Sequence, residues 1–103
     1  MMNWKSKSNH NLIEAFLSLK TREEAECFLR DLMTENEIGE FAKRLQAAQM
    51  LERGTPYAQI ESTTGLSSTT VARVSKWLKG TGGGYRGVVG KMHHHSSSLA
   101  RED

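Results

Sequence analysis

The sequence predicts an all-α fold, a small helical domain that contains a helix-turn-helix. Three observations carry that expectation. Apolar residues recur at helical spacing through most of the chain, Thr-x-x-Glu capping signals stand before two of the apolar runs, and no stretch shows a strand pattern.

The first stripe is Leu12, Ile13, Phe16 and Leu17 with Leu19, and the TREE that follows fits a capping box, with Thr21 as N-cap and Glu24 as its reciprocal partner. Ala25, Phe28, Leu29 and Leu32 continue as a second helix until TENE repeats the device with Thr34 and Glu37. Ile38, Phe41, Ala42, Leu45, Ala48 and Leu51 then mark an amphipathic helix of roughly 18 residues, with Lys43, Arg44, Gln46 and Arg53 on its other face. Gly54 closes it in the left-handed conformation. Thr55 and Pro56 start a helix of about eight residues, the threonine capping and the proline in the first helical position, with Tyr57 and Ile60 pointing inward. Gly65 breaks it, and Ser67 caps a further helix whose apolar face is Val71, Val74 and Leu78, ended by Gly80. The GTGGGYRG that follows holds too much glycine to sustain a helix or bury a core. The expected organisation is therefore an N-terminal arm over residues 1–11, a helical domain over 12–79 and a flexible Gly/His/Ser-rich tail over 80–103.

A chain of 103 residues is the size of one small domain. With 37% hydrophobic and 25% charged residues it suits a folded protein, and the 7% aromatic share implies an aliphatic core. No apolar run approaches the roughly 18 residues of a membrane helix, and MMNWKSKSNH lacks the apolar segment of an export signal, so the expected compartment is the cytoplasm, without membrane attachment. Cys27 is the sole cysteine, which excludes an internal disulfide and predicts a buried structural thiol. The net charge of +2 conceals an asymmetry: from Ser62 to Ala100 stand Arg73, Lys76, Lys79, Arg86 and Lys91 with no acid among them. That distribution favours an anionic partner, with double-stranded DNA the leading candidate.

Two short helices joined through a glycine-containing turn, the second capped by a hydroxyl, have the layout of a helix-turn-helix. Around Gly65, Ile60, Leu66, Val71 and Val74 fall where the two helices must lock together. Glu61 departs from the pattern, because a small residue is usual where the helices cross, and it is tolerated only if its carboxylate reaches solvent. On DNA the start of the second helix enters the major groove, so Ser68, Thr69 and Ala72 face base edges with Arg73 and Lys76 nearby. Ser67 and Thr70 suit phosphate contacts at the helix N-terminus. These residues point to a sequence-specific DNA-binding regulator; the competing expectation is a protein-interaction scaffold whose basic helix binds an acidic partner.

The segment TENEIGEFAKRLQAAQMLERGTPYAQIESTTGLSSTTVARVSKWL, with GGGYR after it, resembles the Trp repressor-like family, and within it the YerC/YecD branch. The similarity runs from about Leu12 to Tyr85 and is most specific at Asn36 to Ile38, at Lys43 to Leu45 and in TTGLSSTTVARV. The resemblance implies a DNA-binding regulator, a repressor in particular, that works as an intertwined homodimer, the helices before the reading head supplying the subunit contact. A domain this short has a thin core, so its first apolar stripes need a partner surface. A two-fold dimer places its reading helices in successive major grooves, which implies a palindromic operator.

The family's best-known member takes L-tryptophan as corepressor. Thr34, Arg44 and Arg73 match residues of that effector pocket, whereas Ile38 stands for an arginine, Val74 for a glycine and Trp77 for a serine. These exchanges remove a polar contact and add bulk, so no L-tryptophan corepressor and no other cofactor is expected. Trp77 is instead expected to stack near Arg73 and hold the reading helix without ligand.

No carboxylate pair or nucleophile–base set marks an enzyme. GTGGGYRG lacks the lysine and hydroxyl ending of a phosphate-binding loop. His93, His94 and His95 are adjacent in sequence and cannot all face one ion, so no metal site is expected.

Overall fold

The computed structural model describes residues 1–100, with side chains placed through Met92. Its six helices are α1 (Lys7–Ser18), α2 (Arg22–Leu32), α3 (Glu35–Glu52), α4 (Tyr57–Thr64), α5 (Ser68–Lys79) and α6 (Gly84–Ala100), and the described residues contain no strand. The chain divides into two compact units, Met1–Ile38 and Gly39–Asp103.

In the first unit the capping chemistry is as the sequence implies. The Glu24 N–H donates to Thr21 Oγ1 and the Thr21 N–H to Glu24 Oε1, both at 3.1 Å. Thr34 and Glu37 repeat the exchange at 3.1 and 2.9 Å, so four otherwise unpaired N–H groups are satisfied by two Thr-x-x-Glu signals. Phe16 of α1 meets Phe28 of α2 edge to face, ring centroids 5.5 Å apart. Neither helix buries a residue, and Leu12, Ile13 and Leu17 stay exposed. Two expectations are corrected here. The N-terminal arm is shorter than 1–11, because Ser6 accepts from the Asn9 N–H and starts α1 at Lys7. Cys27 is exposed, not buried, since α2 turns it away from the Phe28 side.

The second unit holds the core: Ala47, Ala48 and Met50 from α3, Ile60 from α4, Leu66 from the turn, Val71 and Val74 from α5, and Val89 from α6, with Leu45, Leu51 and Tyr85 packed against them. Helix α3 ends in a Schellman arrangement, with Gly54 at φ 81°, its N–H bonded to the Leu51 carbonyl and the Thr55 N–H to the Met50 carbonyl, each at 3.0 Å. The face it buries matches the expected one only in part: Ala48 is in the core and Leu45 and Leu51 pack against it, but the N-terminal half of the expected stripe does not follow. Ala47, Ala48 and Met50 are inside, whereas Phe41 and Ala42 are exposed, because α3 carries two apolar faces and only one meets α4 to α6.

Helix α4 starts without a side-chain cap. Pro56 itself is the N-cap, and its carbonyl accepts from Gln59 and Ile60, so the Thr55 hydroxyl is not used as expected. Tyr57 is 41% exposed instead of pointing inward; only its hydroxyl reaches the interior, donating to Ser75 Oγ at 2.6 Å.

The segment after Gly80 departs most from expectation, since α6 forms there and Val89, 2% exposed, joins the core. The glycines concentrate in the loop and first turn, with Gly83 at φ 79° accepting from the Gly87 N–H. Interleaved with Gly87 and Gly90, Tyr85, Val88, Val89 and Met92 recur at helical spacing, and packing of α6 on α5 offsets the poor intrinsic propensity. The side chains of His93, His94 and His95 lie outside the described residues. No helix among the described residues is long and apolar enough to cross a membrane.

Candidate nucleic-acid interface

The turn between α4 and α5 is Gly65, Leu66 and Ser67. Gly65 takes the left-handed conformation at φ 78°, and its N–H bonds to the Glu61 carbonyl at 2.8 Å, which ends α4. Thr64 ties the corner from inside: its Oγ1 donates to the Ile60 carbonyl at 2.7 Å and accepts from the Leu66 N–H at 3.1 Å. Leu66 thereby drops into the core beside Ile60 and Val71. Glu61 is half-buried, yet no buried side-chain oxygen or nitrogen among the described residues lacks a partner, so its carboxylate reaches water. The corner is a helix-turn-helix.

Ser67 caps α5. Its Oγ accepts from the Thr70 N–H at 3.1 Å and donates to Thr70 Oγ1 at 3.0 Å. Helix α5 then separates its residues cleanly: Val71, Val74, Ser75 and Leu78 are buried, whereas Ser68, Thr69, Ala72, Arg73 and Lys76 are exposed. A periodicity of 3.6 residues puts those five on one outward face. Among the described residues no ion pair engages Arg73, Lys76 or Lys79, the ion pairs lying instead on α1, α2 and α3. Hydroxyls at the N-terminal end of α5, where unpaired N–H groups and the helix dipole favour negative charge, stand with Arg73 at mid-helix and Lys76 and Lys79 in the last turn, and together form a surface suited to a polyanion. Of the residues assigned to DNA, Ser67, Ser68, Thr69, Ala72, Arg73 and Lys76 are exposed and Thr70 is half-buried.

The three effector-type residues have other engagements. Thr34 caps α3 in the first unit. Arg44 in the second is half-buried, its Nε 3.2 Å from Glu40 Oε2 and its guanidinium 5.6 Å from the centre of the Phe41 ring. Arg73 is exposed on the outward face of α5. The stacking expected between Trp77 and Arg73 is not the arrangement adopted: among the described residues the cation over a ring is Arg44, on Phe41. Trp77 is 57% exposed and, with Leu45, Tyr85, Val88 and the Gly82–Gly84 backbone, lines an apolar groove of about 480 Å³. Sequence reasoning missed this groove, which requires α6; the spacing of Tyr85 and Val88 was its only signal.

Residues 7–93 match the family model of the Trp repressor protein. The uncharacterized protein YerC of Bacillus subtilis (strain 168) is 43% identical to this chain over 74 residues, 72% of this chain and 71% of that protein. A crystal structure of a TrpR-like protein from Eubacterium eligens ATCC 27750 superimposes with a TM-score of 0.81 at 34% identity, covering 87% of this chain and 93% of that one. A candidate Trp repressor from Staphylococcus aureus gives the same TM-score of 0.81 and 34% identity over 90% of this chain and 96% of that one.

Proposed function

Because this chain belongs to the Trp repressor family, a family of transcription regulators and not of enzymes, we propose that it is a sequence-specific DNA-binding regulator that lays the outward face of α5 in the major groove. The observation that carries the reading is the division of α5: a fully packed inner face fixes the helix, and the outer face offers Ser68, Thr69, Ala72, Arg73 and Lys76 with no acid paired to them. Ser68, Thr69 and Ala72 meet base edges, and Arg73 reaches a guanine with its bidentate fork. Ser67, Thr70 and Lys76 hold phosphates, which supply most of the affinity.

The working species is a homodimer. Leu12, Ile13, Phe16 and Leu17 on α1 and Phe41 on α3 are large apolar side chains left exposed in the single chain, and a second copy is the partner that buries them. A dyad then presents two α5 helices about one DNA turn, roughly 34 Å, apart, so the operator is palindromic. Occupying it blocks other proteins from the same groove, which makes the regulator a cytoplasmic repressor. L-tryptophan is not needed: Arg44 already bonds Glu40 through Nε, and Trp77 and Val74 stand at positions where a ligand would require small residues.

Selection of duplexes from a random library, followed by gel shift of the winners and of random duplex at two salt concentrations, tests the reading. Enrichment of an inverted repeat and a steep fall of binding with salt support it. Absence of any selected sequence, or binding indifferent to salt, rejects it. Sedimentation equilibrium of the free protein tests the dimer.

A further inference from the structure

Ser75 is 3% exposed on the inner face of α5, at a helical position otherwise filled by Val71, Val74 and Leu78. A hydroxyl there costs stability unless it is bonded. A helical serine ordinarily bonds back to the carbonyl four residues earlier, as Thr64 does with Ile60. Ser75 accepts instead from the Tyr57 hydroxyl at 2.6 Å. Tyr57 is the first residue of α4 and is 41% exposed, so burial of its ring alone does not explain its position. The other side-chain to side-chain hydrogen bonds of the described residues join groups at most seven positions apart; this one spans 18 and joins two helices.

From this geometry we infer that the Tyr57–Ser75 hydrogen bond is a positioning contact that sets how α5 is held against α4, and so governs sequence discrimination more than affinity for DNA as such. The inference rests on the DNA-binding function proposed above. Apolar packing between α4 and α5 is non-directional and tolerates small rotations, whereas a short hydroxyl pair has one distance and one direction. Ser75 lies on the inner side of α5, about 60° around the helix from Ala72 and about 100° from Lys76, so loosening the pair moves the base-reading face without removing any group that meets DNA. Contacts to base edges fail with sub-ångström displacement. The contact from the flexible Lys76 side chain to a phosphate absorbs it.

The test uses the full chain and the duplex recovered by selection, with random duplex as reference, for wild type, Tyr57→Phe, Ser75→Ala and the double variant. Val89→Ala serves as a control that weakens the same core away from this pair. The ratio of selected to random affinity falls about threefold to tenfold in each single variant, the range expected for one net hydrogen bond. Random-duplex affinity stays level, and the double variant falls no further than the singles. Val89→Ala, at a comparable loss of Tm, leaves the ratio unchanged. A wild-type ratio preserved in Tyr57→Phe, or a ratio that follows Tm in all variants including Val89→Ala, overturns the inference alone. A wild type that prefers no duplex overturns both it and the proposed function.

Discussion

Arg44 Nε lies 3.2 Å from Glu40 Oε2, one helical turn earlier on α3, with the guanidinium over the Phe41 ring. A residue that matches a ligand-pocket arginine by sequence therefore already holds a carboxylate from its own helix. The pair is only partly shielded from water, so it adds little stability, but it takes up the Nε donor, one of the groups with which a guanidinium binds a carboxylate.

The expected consequence is indifference to L-tryptophan. Thermal unfolding with the amino acid at millimolar concentration leaves Tm where it was, because only a ligand that binds the folded state raises it. A clear rise at sub-millimolar ligand contradicts this account of Arg44, Val74 and Trp77.

Gly65→Ala measures the strain in the corner. An added Cβ meets nothing within 4 Å, so the cost is that of forcing an alanine to φ 78° and not of a clash. A loss of about 1–2 kcal/mol in urea unfolding is expected, and DNA binding weakens with it. Gly87→Ala provides the contrast: it also has open space, but its φ is not in the left-handed region, so alanine in the helix is neutral or stabilising.

Val89→Ala asks whether α6 belongs to the core. Removing most of a side chain that is 2% exposed lowers stability by about 1.5 kcal/mol, whereas Val88→Ala, on the exposed side, changes it by less than about 0.5 kcal/mol. Equal effects at the two positions in chemical denaturation would show that α6 does not dock through Val89.

What the sequence made legible follows from the range of the interactions. The Thr21–Glu24 and Thr34–Glu37 boxes, the Ser67 cap and the left-handed Gly54 and Gly65 are settled within a few residues, and each is found in place. The inner face of α5 was legible too, because Val71, Val74 and Leu78 repeat along one side. Helix α6 was not, since its local propensity is poor and its stability comes from Val89 meeting distant residues. The face α3 buries was legible only at Leu45, Ala48 and Leu51, for the same reason: Phe41 and Ala47 belong to two apolar faces of one helix, and only the contacts made by α4 to α6 select between them. At the DNA-facing surface the residue types were readable, whereas the Tyr57–Ser75 bond joins positions 18 apart and needed the fold.

The most direct measurement is the salt dependence of binding to the selected duplex for wild type and for Arg73→Ala combined with Lys76→Ala. The account predicts that log Kobs falls linearly with log salt in the wild type, and that the double variant binds at least about tenfold more weakly with a slope shallower by about one for each phosphate contact removed. A double variant whose affinity and slope both match the wild type would contradict the claim that the outward face of α5 meets DNA.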